Sequence, residues 1–284
     1  MSNIEQRMAL YNGIALDTSR ATTRAYSTSF SISIRALSED IRDDIHAIYG
    51  LVRFADEIVD SFFGYDQESL FQRFKAETFR ALEEGISTNP VIHAFQQTYN
   101  KYEMPRELLE HFFRSMEWDL RRTEYTKASF DEYIVGSAEV VGLMCLKVFV
   151  RGDEAEYQRL KPSAIRLGAA FQKVNFLRDL REDIEELGRF YFPDLDFQHF
   201  DDVSKRRIEQ DIEADFKAAS AGIVELPRDA RFAVHLAYTY YRLLLRRIMR
   251  LDSKTILESR VRVPDAQKLF LWATTYTRHR LNLA

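Results

Sequence analysis

The stretch GAAFQKVNFLRDLREDIEELGRFYFP, residues 168–193, decides the fold class. Gln172, Asn175, Asp179 and Asp183 stand at i, i+3, i+7 and i+11, so they fall within roughly 80° of one another on a helical wheel. Phe176, Leu180, Ile184 and Leu187 line the adjoining arc, while Arg178, Arg181, Glu182 and Glu185 lie away from it. Four small oxygen-bearing side chains beside an apolar strip make a stripe suited to a ligand, on a segment with α-helical period.

A second such helix lies upstream. In HAIYGLVRFADEIVDSFF, residues 46–63, Tyr49, Arg53, Asp56 and Asp60 share a wedge of roughly 60°. Leu51, Val52, Phe54, Ala55, Ile58, Val59, Phe62 and Phe63 cover most of the rest, and a helix apolar nearly all round belongs in an interior. Two carboxylates four residues apart repel each other, and burying them uncompensated costs on the order of several kcal/mol. Arg53 offsets part of this. A hard divalent cation is the simplest solution, because Mg²⁺ takes one or two carboxylates and completes its shell with waters and phosphate oxygens. The bland alternative is a solvated acidic face whose spacing is incidental. Two stripes in one chain favour the cation, since together they could clamp a diphosphate through bridging metals.

Outward from these helices, turn signals at 61–66, 84–90, 103–105, 151–153, 161–163, 192–194, 226–228 and 263–265 divide the chain. Helices are expected near 38–61, 66–84, 90–102, 106–125, 129–150, 153–160, 162–187, 203–223, 229–250 and 264–281. Gly (10) and Pro (6) are scarce in the 284 residues, and there is no period-two strand run, linker or internal repeat. An all-α fold in one domain, 1–284, is expected. The 21 Phe and 14 Tyr are enough to wall an apolar cavity, although simple core packing is the default for any one of them.

Net charge is −4 with acids and bases interspersed, which offers no basic face to nucleic acid. The single Cys145 excludes a disulfide scaffold and reads as a buried, inert thiol. With no signal-like N-terminus and no run of about 18 apolar residues, a cytoplasmic location is expected, peripheral to the membrane's inner face if the product is a lipid. The six histidines form neither HExxH nor Glu-x-x-His, which argues against a di-metal oxidase bundle.

These residues resemble the squalene/phytoene synthase family through almost the whole chain. Ser27-Thr-Ser-Phe30 is similar to its N-terminal Ser-x-Ser-Phe, and Tyr49-x₃-Arg53-x₂-Asp56-x₃-Asp60 resembles its first aspartate motif. Met116-Glu-Trp-Asp-Leu120 and Ala138-x₃-Gly142 are similar to its middle helices. Gln172-x₂-Asn175-x₂-Arg178-Asp179-x₂-Glu182-Asp183, continuing to Gly188-Arg189-x-Tyr191-x-Pro193, resembles its second motif. Arg260-Val-Arg-Val263 with Lys268-Leu269 looks like its C-terminal signature.

The resemblance implies an isoprenoid (terpenoid) synthase fold, a single helical bundle around a central cavity. It implies that Asp56, Asp60, Asn175, Asp179 and Asp183 hold Mg²⁺, or Mn²⁺ in its place, with Gln172 in support. It places Arg53, Ser27, Ser29, Tyr49, Arg178, Tyr241 and Arg260 on the diphosphates. The chemistry implied is head-to-head joining of two prenyl diphosphates through a cyclopropylcarbinyl diphosphate. Geranylgeranyl diphosphate giving phytoene, the first committed step of carotenoid synthesis, is the preferred form, with NADPH not expected. Dehydrosqualene or squalene synthesis from farnesyl diphosphate is the near alternative. A non-catalytic relative acting as a binding or assembly factor is the alternative of another class.

One segment departs from the pattern. Tyr133-Ile-Val135-Gly-Ser-Ala-Glu139 carries Val135 where the family has a Tyr that points into the site, and Glu139 where it has Gly. Val cannot donate a hydrogen bond. At helical spacing Glu139 shares a face with Val135 and is expected to add a carboxylate near the metals, with a helix–helix contact as the alternative. Tyr238 and Tyr240 read as packing residues beside Tyr241, although their ring faces could stabilise cationic intermediates.

Overall fold

The structure, a computed structural model, describes residues 2–121, 125–193 and 200–264. Within them the order is α1 (Asn3–Tyr26), α2 (Thr28–Arg35), α3 (Glu39–Asp60), α4 (Gln67–Glu84), α5 (Pro90–Lys101) and α6 (Arg106–Asp119). Then come α7 (Lys127–Ile134), a π turn (Val135–Glu139), α8 (Val140–Phe149), α9 (Glu154–Glu185), α10 (Asp202–Glu225), α11 (Arg228–Met249) and α12 (Ser253–Glu258). The all-α expectation holds, and most boundaries fall within a residue or two of those read from the turn signals. The expected helix 264–281 lies almost wholly outside the described residues.

Several elements differ from expectation, the short α2 and α12 being unanticipated as well. The helix α1 was not anticipated because it hides Ala15, Ser19, Thr22 and Thr23, small or hydroxyl-bearing residues that draw no apolar stripe. Its start is set by a capping box between Ser2 and Glu5. The expected break at Pro162 is absent, and α9 runs 32 residues through it. A mid-helix proline costs about 3 kcal/mol, and burial of Tyr157 and Leu160 on one side and Ala169, Ala170, Val174 and Leu177 on the other offsets it. The helix expected over 106–125 ends at Asp119. The helix expected over 129–150 is interrupted by the π turn, closed by Val140 N–H donating to the Val135 carbonyl.

That turn sits hard against α6. A Cβ on Gly136 would fall 1.9 Å from Ser115 Oγ and 2.4 Å from the His111 carbonyl oxygen, so only glycine permits the approach.

Buried side chains gather in two cores. Leu51, Phe71, Phe95, Phe112 and Met144 belong to one, built mainly from α3 to α6 and α8. Leu177, Phe216, Leu244 and Ile248 belong to the other, built mainly from α7 and α9 to α12. Residues of both wall a cavity of about 320 Å³, bounded by α2, α3, the π turn, α8, α9, α10 and α11. Its lining is overwhelmingly apolar or small, with Ile48, Val52, Val141, Phe149, Leu160, Ala164, Leu167, Phe171 and Ile223 among it. The expectation of a central cavity is met. No described helix is long and apolar enough to cross a membrane.

Candidate active site

Two helices lead from the cavity wall to the acids. Ile45, Ile48, Tyr49 and Val52 of α3 line the cavity, and Asp56 and Asp60 follow one and two turns further on. On α9, Leu167, Phe171, Gln172 and Asn175 line it, and Asp179 and Asp183 follow in the same way. Asp60 and Asp183 therefore stand in the closing turns of their helices, where the macrodipole is negative and a cation is favoured, with Asp56 and Asp179 one turn before them. Neither closing turn carries a basic residue.

The pairs are not sealed in the interior as the wheel implied. The side chains of Asp56, Asp60 and Asp179 keep 35%, 27% and 18% exposure, so they form the mouth of the cavity rather than its depth. Full burial of paired carboxylates is costly. Even so, their crowding shows in their chemistry. Burial and then the like charge of Asp60 push the Asp56 carboxyl up to about 7, against partial compensation by Arg53. Burial, then Asp179 and Asp60, push Asp183 up to about 8.

Arginines hold most of these acids. Arg53 Nη1 donates to Asp56 Oδ2 at 2.6 Å and its other end pairs with Glu57, while its guanidinium lies over the Tyr26 ring at 4.3 Å. Arg178 Nε donates to Asp179 Oδ1 at 2.8 Å, and Arg260 Nε lies 2.9 Å from the same oxygen. Arg260 also donates to Glu182 at 2.6 Å. Arg189 Nη1 donates to Asp60 Oδ1 at 2.7 Å.

The remaining expected residues sit between acids and cavity. Tyr241 donates to Asn175 Oδ1 at 3.2 Å, and Asn175 Nδ2 to Gln172 Oε1 at 3.3 Å. Tyr241 stacks on Phe171 with centroids 4.0 Å apart, and Phe30 lies near both Tyr49 and Tyr241. Burial pushes the Tyr49 hydroxyl up to about 12. The Ser27 hydroxyl is hydrogen-bonded to Tyr49 and caps α2 by accepting from Phe30 N–H at 3.2 Å. Ser29 is half-buried on the first turn of α2. Tyr238 packs edge-on to Phe216 and Tyr240 edge-on to Tyr241, as packing residues would.

Glu139 is not brought to the acid pairs. Its carboxyl is pushed up to about 7 by burial, and its charged neighbours are Arg166, Asp215, Lys173 and Asp131. Neither Glu139 nor Val135 lines the cavity, and Val135 packs against the first core. The five-residue turn breaks the i, i+4 spacing on which a shared face depended. Ser137 and Ala138 face the cavity instead.

Sequence reading also missed a buried group behind Asp60. Asp119 accepts from Tyr133 Oη at 2.7 Å, from Tyr191 Oη at 3.3 Å and from Tyr125 Oη at 3.4 Å, and lies 3.7 Å from Arg189 Nη1. Burial pushes its carboxyl up to about 7. The signal was present in α6, where Asp119 follows Phe112 and Met116 at helical spacing on a core-facing side.

The donor set fits a hard divalent cation bound with a diphosphate. Carboxylates and a carboxamide oxygen are the ligands Mg²⁺ takes, and crowding of like charge is what a cation relieves. Among the described residues no three acids, histidines or cysteines converge on one point. The pairs thus suit ions that complete their shells with phosphate oxygens and waters rather than an all-protein cage.

An all-α bundle with two acid-bearing helices above a central cavity is the terpenoid-synthase fold. A dehydrosqualene synthase crystal structure superposes with a TM-score of 0.80 at 19% identity, covering 95% of this chain and 98% of that one. Squalene synthase HpnC from Alicyclobacillus acidocaldarius gives 0.72 at 21%, covering 83% and 93%. The squalene/phytoene synthase family model matches residues 23–267, and the chain belongs to that family. Phytoene synthase of Rhodobacter capsulatus is 30% identical over 181 residues, 63% of this chain and 52% of that protein. Phytoene synthase of Arthrospira platensis is 27% identical over 290 residues, 92% of each. The match spans about half the length of the first relative and nearly all of the second.

Proposed function

We propose that the chain is a prenyltransferase that joins two prenyl diphosphates head to head, and that its substrate is geranylgeranyl diphosphate and its product phytoene. The observation that carries this reading is the pair of acid-bearing helix ends at the mouth of a long apolar cavity: charge at one end of the substrate, hydrocarbon at the other. Family membership and the phytoene synthases among its relatives support it.

Bound Mg²⁺ would supply Lewis-acid stabilisation of the departing diphosphate. Asp56, Asp60, Asn175, Asp179 and Asp183 would hold it. Arg53, Arg178 and Arg260, which here occupy carboxylates, would turn to diphosphate oxygens when substrate arrives, since a guanidinium binds either anion through the same fork. Tyr49, Ser27 and Ser29 would orient the diphosphate beside them. The C–O bond of one allylic diphosphate breaks and pyrophosphate leaves with the electron pair. The C2–C3 double bond of the other substrate attacks the allylic carbon, and a proton is lost as the cyclopropane closes. The second C–O bond then breaks, the ring opens, and loss of a second proton leaves a conjugated polyene. No electrons are required from outside, so no reductant enters. The apolar wall would exclude water from the cations, and Phe30, Phe171 and Tyr241 in that wall would offer them aromatic rings. Lipid substrates and product would bring the chain to a membrane surface.

Mass spectrometry of products from C15 and C20 diphosphates tested separately, with Mg²⁺ and with or without NADPH, tests this. Phytoene from the C20 substrate without NADPH is expected. Product from C15 alone would reassign the chain to dehydrosqualene or squalene synthesis. No pyrophosphate release from either substrate would remove the catalytic reading.

A further inference from the structure

Arg189 stands where three helices end. Its backbone N–H donates to the Asp183 carbonyl in the closing turn of α9 at 2.8 Å. Its Nη2 donates to the Asp119 carbonyl, the last residue of α6, at 2.9 Å, and to the Val59 carbonyl near the end of α3 at 3.3 Å. Its Nη1 reaches the Asp60 carboxylate at 2.7 Å. None of the three helices carries a basic residue in its own last turn. The guanidinium thus serves the negative ends of α3 and α6 while the same residue's backbone N–H serves that of α9, and the side chain is only 6% exposed.

The guanidinium is itself fixed. Asp119, 3% exposed, lies beside it, and that carboxylate is held in turn by the hydroxyls of Tyr133, Tyr191 and Tyr125. Tyr191 Oη also accepts from Arg189 Nη1 at 3.3 Å. The planar fork reaches the Asp60 carboxylate and the Val59 and Asp119 carbonyls together, and with the backbone bond from Arg189 to Asp183 it ties the end of α3, with Asp60, to the end of α9, with Asp183.

We propose that Arg189, clamped by Asp119, is the positioning residue that sets the gap between the two acid pairs. The proposal rests on the reading of those pairs as a cation–diphosphate site. It assigns Asp119 and Tyr133 a role through Arg189 and none in direct contact with substrate.

Calorimetric titration of the full chain with Mg²⁺ and inorganic pyrophosphate tests it without turnover. Arg189→Lys keeps the charge and loses the fork, and Asp119→Asn keeps the volume and loses the counter-charge. Each is expected to weaken Mg²⁺–pyrophosphate binding at least tenfold, and Tyr133→Phe to weaken it less in the same direction. Asp215→Asn is the control: Asp215 is equally buried but pairs with Lys173 and Arg166 away from the acids. It should lower the melting temperature while leaving the affinity unchanged. Parental affinity in Arg189→Lys, or in Tyr133→Phe if the other two do not fold, would overturn the proposal. Absence of Mg²⁺–pyrophosphate binding by the parent chain would overturn the functional reading along with it.

Discussion

Asp183 stands in surroundings unfavourable to its charge. Burial, Asp179 and Asp60 all push its carboxyl upward, and Arg189 compensates only in part. It therefore gains from a cation. Asp183→Asn is expected to lower turnover about 100-fold, the scale of losing one charge-stabilising group, while the metal-free melting temperature stays level or rises. A pH dependence follows from the same groups. Asp56, Asp119 and Asp183 are raised to about 7, 7 and 8, above their unfolded values, so the folded state binds more protons than the unfolded one between those limits. Stability must then fall as pH rises through that window. His46, lowered by burial to about 4, works in the opposite sense only below pH 6.5. Metal-free melting temperature should decline from pH 6.5 to 8, and added Mg²⁺ should raise it more at pH 8 than at 6.5. Thermal melts at fixed ionic strength would show this, and a flat profile would count against the acids being crowded. At this scale the acids and Arg53 were legible because spacing on one helix puts them on one face, whereas Arg178, which the wheel set away from the acids, and Arg260 came only from the family resemblance. The part played by Asp119 and Arg189 was not, because it depends on which helix ends meet.

At the scale of elements, the π turn is the piece that helical periodicity could not supply. Apolar spacing runs through Tyr133-Ile-Val-Gly-Ser-Ala-Glu-Val-Val as though one helix continued, and a one-residue widening leaves that pattern almost untouched. The turn lies where the backbone passes close to α6, with room at Gly136 for no Cβ beside Ser115 and the His111 carbonyl. Gly136→Ala should cost about 1–3 kcal/mol through overpacking, seen as a melting temperature lowered by several degrees. Gly13 in α1 offers the contrast, since a Cβ there meets nothing within 4 Å. Gly13→Ala should stabilise by roughly 0.5–1 kcal/mol. The long amphipathic helices α3 and α9 could be read from periodicity. The helix α1 could not, because hydroxyls and alanines do its packing.

For the whole molecule, the proposed chemistry makes the cavity the limit on what can be joined. It extends along α9 from Asn175 down to Leu160, about 22 Å at the helical rise. Ala164 lies in its lower half. Ala164→Leu should therefore reduce use of C20 diphosphate more than C15, measured as the ratio of kcat/KM for the two. An unchanged ratio would mean that the lower cavity does not hold the hydrocarbon tail. A helical bundle was legible from periodicity, and its central cavity from the family resemblance. Which side chains line it was not, since walls contributed by seven segments are set only by assembly.

The three helix ends joined at Arg189 also order events in time. Arg189 is 129 residues from Asp60 and 70 from Asp119, so the contacts close long loops, and such contacts form late. During synthesis Asp56 and Asp60 emerge well before the arginine that will seat them. A nascent chain would thus carry the acids but no competent gap, and could not hold substrate until its α9 end had docked. Refolding experiments in which Mg²⁺–pyrophosphate binding returned ahead of global helix content would contradict that sequence.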